Sequence, residues 1–162
     1  MALLMVVHYL KGTPLTPQIA EDEIQDLIAW EHDHGYGDDL TAAQMAEVAE
    51  QKLDVSARVR TDVTKDSILE ELAAGNPIVI PAAGRDLGNP YFSGEGPWYH
   101  ALTIIGYKPG WLGDYFITND PGTKRGQQYT YKADILLNAI HDWTGVKEEI
   151  RTGQKAMVIL ER

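Results

Sequence analysis

One histidine and one aspartate in this 162-residue chain stand where their types and spacing could do chemistry together. His100 opens the apolar run His100-Ala101-Leu102-Thr103-Ile104-Ile105-Gly106-Tyr107, and Asn119-Asp120-Pro121-Gly122 closes the next one. A short turn through Pro109-Gly110 joins the two runs, so they are predicted to pair antiparallel, with the start of one beside the end of the other. His100 and Asp120 then meet at one edge of a sheet. A carboxylate beside an imidazole orients its tautomer and stabilises its cation, which is what a general base requires. Each signal has a plainer explanation when taken singly. His100 is equally a structural histidine at a strand end, and Asn-Asp-Pro-Gly is the composition a turn selects for backbone reasons.

A base needs a nucleophile to serve, and the chain contains no cysteine, which excludes thiol attack, disulfides and thiolate metal sites. Ser56, Ser67 and Ser93 lie outside any Gly-x-Ser-x-Gly elbow, and Thr103 reads as a packing residue inside a strand. Glu31-His32-Asp33-His34, followed by Asp38 and Asp39, could grip a metal, but no His-Glu-x-x-His helix supports it. It reads better as a solvated acidic helix end, and neither a metal nor a cofactor is expected. His8 and His141 read as core or rim histidines on apolar helices. Substrate contacts are expected from Trp98 and Tyr99, just before His100, and from Asn119, just before Asp120. Residues 82–98 form a Gly- and Pro-rich loop carrying Arg85, Asn89, Tyr91, Phe92 and Glu95, long enough to act as a binding rim.

A formal charge of −10 and a pI near 4.8 argue against nucleic acid or an anionic membrane as partner and favour a neutral or cationic substrate. The apolar N-terminal run is about half the length needed to span a bilayer, so no membrane insertion is expected.

The elements that must hold His100 and Asp120 follow from periodicity. Leu3, Leu4, Val6, Val7 and Leu10 place a buried helix over residues 1–11, stopped by Gly12 and Pro14, with no capping residue ahead of it. Thr16 and Pro17 open a second helix with Ile19, Ile24, Leu27 and Ile28 inward, ending near Gly35. Thr41 and Gln44 form a capping-box pattern before Met45, Val48 and Ala49. An edge strand is predicted over 55–59, and Thr64 caps a helix with Ile68, Leu69 and Leu72 that Gly75 closes. Pro77-Ile78-Val79-Ile80-Pro81 is predicted as a buried strand that leaves the ladder at its prolines. Strands follow over 99–107, 114–118, 128–131 and 155–160, with a helix over 133–143 whose stripe is Ile135, Leu136, Ala139 and Ile140. Helices first and strands later make a single α+β domain with an antiparallel sheet in its second half.

Taken together, these segments resemble the C39-like peptidases, a bacterial branch of the papain-like cysteine proteinases. His100 with its strand and Gly106-Tyr107 resembles the family's His motif, and Tyr115-Phe116-Ile117-Thr118-Asn119-Asp120-Pro121 its Asp motif. Gly75-Asn76-Pro77-Ile78-Val79-Ile80-Pro81 resembles the central strand, and Leu3-Leu4-Met5-Val6-Val7-His8-Tyr9-Leu10 the helix that carries the nucleophile at its start. The resemblance implies a papain-like fold and a Cys-His-Asp triad cleaving peptide bonds, with His100 as base and Asp120 as orienter. A helix N-terminus suits the cysteine, since its free N–H groups lower a thiol pKa and hold an oxyanion. Neither that cysteine nor the family's upstream glutamine has a counterpart here. The chain is therefore expected to be inactive, through shortening ahead of the first helix or through natural loss of the nucleophile. The alternatives are a non-catalytic peptide-binding module on the same fold, or a structural or interaction domain.

Overall fold

Among the described residues, threonine hydroxyls start three of the five α-helices, as their positions predict. In the computed structural model, which describes residues 1–161, helix α2 (Pro17–Asp33) begins with Thr16 accepting from the Ile19 N–H at 3.3 Å. Helix α3 (Ala42–Gln51) opens on a capping box between Thr41 and Gln44, and α4 (Lys65–Ala73) on a reciprocal pair between Thr64 and Ser67. Such caps satisfy N–H groups that the first turn leaves unpaired. Helix α1 (Ala2–Lys11) has no side-chain cap at its start and ends on Gly12 in the left-handed conformation, φ 64°.

Among the described residues six strands form one antiparallel sheet: β1 (Ser56–Arg60), β2 (Ile78–Ala83), β3 (Tyr99–Lys108), β4 (Tyr115–Asn119), β5 (Tyr129–Lys132) and β6 (Met157–Glu161). Their order is β1-β6-β2-β3-β4-β5, so the last strand in the chain lies between the first two. Helices cover both faces. Leu4, Val7, Leu27, Met45 and Val48 from α1 to α3 pack on Val79, Val158 and Leu160. On the other face Ile68 of α4 and Leu136 of α5 (Ala133–Ala139) join Ile78, Ile80, Leu102, Ile104 and Phe116. Cover on both sides explains why β2 and β6 read as unbroken apolar runs rather than alternating ones. The molecule is thus the expected mixture of helix and antiparallel sheet, with helices mainly in the first half and the sheet mainly in the second.

Three expectations need correction. Pro81 does not end its strand, because β2 stays paired with β3 to Ala83. Beyond Val79 strand β6 no longer flanks β2, and the vacant edge takes a bridge from Ala82 to Ile140 and a bond from the His141 N–H to the Pro81 carbonyl at 3.3 Å. The same edge ends α5 at Ala139 rather than at residue 143, since Ile140 turns extended to fill it. Ile28 and Ile135 lie outside the buried stripes of their helices, at 38% and 37% exposure, because α2 and α5 each bury a narrower face than the apolar count suggests. Among the described residues no helix is long and apolar enough to cross a membrane.

Candidate functional site

His100 is the second residue of β3, opposite Ala82 of β2, and Asp120 follows directly on β4. The β3–β4 ladder pairs Thr103 with Asn119 and carries a bulge between Ile104 and Gly106. Continuing that register one step sets Asp120 against Leu102, which makes His100 its diagonal neighbour on the same sheet face. Diagonal side chains of this size reach each other. His100 Nε2 lies 2.6 Å from Asp120 Oδ1, with the two side chains 10% and 0% exposed.

Every oxygen of that carboxylate is used. Oδ1 also accepts from the Gly122 N–H at 2.8 Å, while Oδ2 accepts from the Tyr131 hydroxyl at 2.6 Å and from Asn89 Nδ2 at 3.4 Å. Burial alone would raise the Asp120 carboxyl, but the hydrogen bonds from His100, Tyr131 and Gly122 outweigh it and hold the group below the usual carboxylate range. Burial, reinforced by the bond to Asp120, pushes the Tyr131 phenol up, so that it stays a donor. A carboxylate only accepts, so the proton between the pair belongs on His100 Nε2. The lone pair is then on Nδ1, which faces away from Asp120.

Close packing fixes the imidazole plane. The Phe92 ring meets it edge-on, with centroids 5.4 Å apart. A Cβ on Gly122 would fall 2.8 Å from His100 Cε1 and 2.9 Å from Phe92 Cε1. At Gly84 it would lie 2.6 Å from the Pro97 carbonyl oxygen and 3.1 Å from His100 Cβ. Neither position has room for a side chain. On its open side His100 lines a cleft of about 290 Å³ together with Tyr99, the uncapped first turn of α1 (Met1, Ala2, Leu3) and Glu31 of α2.

The sequence model of the Peptidase_C39 like family matches residues 2–150. The chain belongs to that family. A solved structure described as a C39-like peptidase, from Bacillus anthracis, superposes with a TM-score of 0.51 at 14% identity, covering 76% of this chain and 60% of that one. At this identity the likeness is one of fold, and the chain spans about 60% of the length of that relative. No curated protein matches the sequence.

Within this C39-like fold the other expected site residues divide. Tyr99 lines the cleft beside His100, its hydroxyl donating to the Leu40 carbonyl at 2.5 Å; burial raises its phenol. Trp98 is not at the cleft; its ring lies under the Arg85 guanidinium, 3.7 Å from Cζ, and Arg85 pairs with Glu95 at 3.0 Å. Asn119 points to the opposite face from Asp120, where its Oδ1 accepts from the Gln128 N–H at 2.9 Å and it borders a separate groove with Met5 and Thr103. His32 turns to Asp38 at 3.0 Å while His34 stacks on Trp30, so the two do not converge. The loop over 82–98 does reach the site, but from behind. Asn89 braces the carboxylate and Phe92 braces the imidazole, whereas sequence reasoning placed them only on a rim. Tyr131 was missed outright, as was Gly122 as a packing position; the Tyr129-Thr130-Tyr131 alternation shows a strand but not which carboxylate its inner tyrosine meets.

Proposed function

We propose that this domain carries the base and orienter of a cysteine-peptidase site, with His100 as base and Asp120 as orienter, and that its cleft takes a peptide. The contact of 2.6 Å between His100 Nε2 and Asp120 Oδ1, set in the wall of a cleft that the α1 N-terminus shares, carries this reading. A cysteine thiol at the start of α1 would give its proton to the Nδ1 lone pair. The thiolate would add to the scissile carbonyl carbon, and the imidazolium would return the proton to the leaving amine. A water, deprotonated by the same nitrogen, would then hydrolyse the thioester. Asp120, held by four donors, keeps the ring in the productive tautomer throughout. With no cysteine in its 162 residues, the chain itself is inactive in this reading. Peptide hydrolysis by this chain that His100→Ala abolishes would contradict the mechanism.

A thiol-reactivity experiment tests the arrangement directly. Ala2→Cys and Leu3→Cys place a thiol in the first turn beside His100, while Lys11→Cys at the far end of α1 serves as control. At pH 6 one of the first two should be alkylated by iodoacetamide about tenfold faster than the control, because a helix N-terminus and a neighbouring imidazole both favour the thiolate. The advantage should vanish with His100→Ala. Equal rates at all three positions would sink the proposal.

The absence of any cysteine beside an intact His–Asp contact supports a second reading, a peptide-binding module that keeps the cleft without the chemistry. Sequence encoded upstream of Met1 separates the two. A cysteine within one turn of the helix start supports the peptidase, and serine or glycine there supports the binding module.

A further inference from the structure

Asp120 stands at the end of a chain of donors whose order is set outside the cleft. Asn89, on the 82–98 loop, and Tyr131, on β5, are 6% and 3% exposed, so their polar atoms must find partners inside the protein. Asn89 Oδ1 accepts from the Tyr91 N–H at 3.0 Å. A side-chain amide has one oxygen that accepts and one nitrogen that donates, so this bond decides which way the group faces. Asn89 Nδ2 is thereby aimed at the Tyr131 hydroxyl oxygen, to which it donates at 2.7 Å. Its direct approach to Asp120 Oδ2, at 3.4 Å, is a long and weak bond. With its oxygen met by a donor, the phenol turns its own proton to Asp120 Oδ2, 2.6 Å away.

The consequence falls on the other carboxylate oxygen. Strand β4 lies between β3 and β5, so His100 and Tyr131 reach Asp120 from the strands on either side. Tyr131 occupies Oδ2, and Oδ1 is left to His100 Nε2 and the Gly122 N–H. The Tyr129 ring packs edge-on against Tyr131, with centroids 4.7 Å apart, and keeps the phenol in place. His100 and Tyr131 are the titratable groups bonded to Asp120, while Tyr129 acts on it through space.

Resting on the base-and-orienter reading above, we infer that Tyr131 and Asn89 are positioning residues of the site. The Asn89 amide sets the phenol, the phenol holds Asp120 ionised, and the fixed carboxylate presents Oδ1 to His100. Neither residue lines the cleft beside His100, and both act through Asp120.

Carbon-13 NMR of the Asp120 carboxyl in the full chain tests this. Tyr131→Phe removes the hydroxyl and keeps the ring, so the carboxyl should titrate about one pH unit higher, the loss of one hydrogen bond to a charged group. Asn89→Ala should move it the same way by less. Because the two residues act in series, the double variant should move it little further than Tyr131→Phe alone. Tyr129→Phe, which takes a hydroxyl from the same strand outside the bonds to Asp120, should leave it in place. In the faster-reacting of Ala2→Cys and Leu3→Cys, Tyr131→Phe should shift the acid limb of the alkylation profile upward by a similar amount. A carboxyl titration unmoved or lowered in Tyr131→Phe overturns the inference, as does an equal shift in Tyr129→Phe. Additive shifts in the double variant, or a carboxyl that moves while the acid limb stays, overturn it too. A shifted carboxyl with no His100-dependent advantage of either cysteine keeps the positioning roles and overturns the peptidase reading instead.

Discussion

Asp120 is the residue on which the site turns, because both of its oxygens only accept. Asparagine offers one acceptor and one donor, so Asp120→Asn brings an N–H against a donor whichever way the amide faces. We expect a loss of about 1–3 kcal/mol in urea unfolding, together with a shift of His100 away from its Nε2–H tautomer in long-range nitrogen NMR spectra. The pH dependence has a definite sign. The folded carboxyl titrates below the unfolded value of about 3.9, so its contribution is complete above that value and is lost as pH falls through the lower folded one. Acid unfolding followed by circular dichroism should therefore show a shallower dependence below about pH 4 in Asp120→Asn than in the parent. Gly122→Ala should displace the ring, since its methyl overlaps His100 and Phe92; altered imidazole shifts with little change in melting would be the signature of a local push. His100 and Asp120 were legible in the sequence because a short turn brings them together. Asn89 and Tyr131 were not, since their bonds span 31 and 11 residues and neither sits in a pattern that announces a partner.

Single elements depend on one another through equally specific contacts. The edge strand β1 is tied to α4 by Glu71, which accepts from Arg58 at 2.7 Å, Arg60 at 2.6 Å and Asn76 at 2.9 Å while its side chain is 4% exposed. Burial opposes its ionisation, but these donors prevail and hold its carboxyl down to about 2. Glu71→Gln should cost about 3 kcal/mol, as breaking a buried ionic network does, and hydrogen exchange should show β1 opening before the rest of the sheet. Helix starts were readable at Thr16, Thr41 and Thr64 because a cap is a local transaction between neighbours. Helix α5 was read too long for the opposite reason. Nothing between residues 133 and 143 reveals that β2, more than fifty residues earlier, leaves an edge open for Ile140.

At the scale of the molecule, β6 joins what the chain separates. It lies between β1 and β2 and buries Met157, Val158, Ile159 and Leu160 against both layers of helices. Deleting residues 156–162 should abolish the cooperative unfolding transition rather than weaken it, since β1 would lose the one strand it pairs with among the described residues. The fold class was legible because helical and strand periods segregate along the sequence. The strand order was not, because periodicity carries no information about pairing across a hundred residues.

That order also sets a problem of timing. Ribosomes add about 5–20 residues each second, so β6 emerges several seconds after the β2 strand it must flank. Through that interval Ile78 and Val79 present an unpaired apolar edge that any nearby strand could extend. The edge closes only when Val158 and Ile159 arrive, so the exposure to stray pairing belongs to the nascent chain and not to the finished fold.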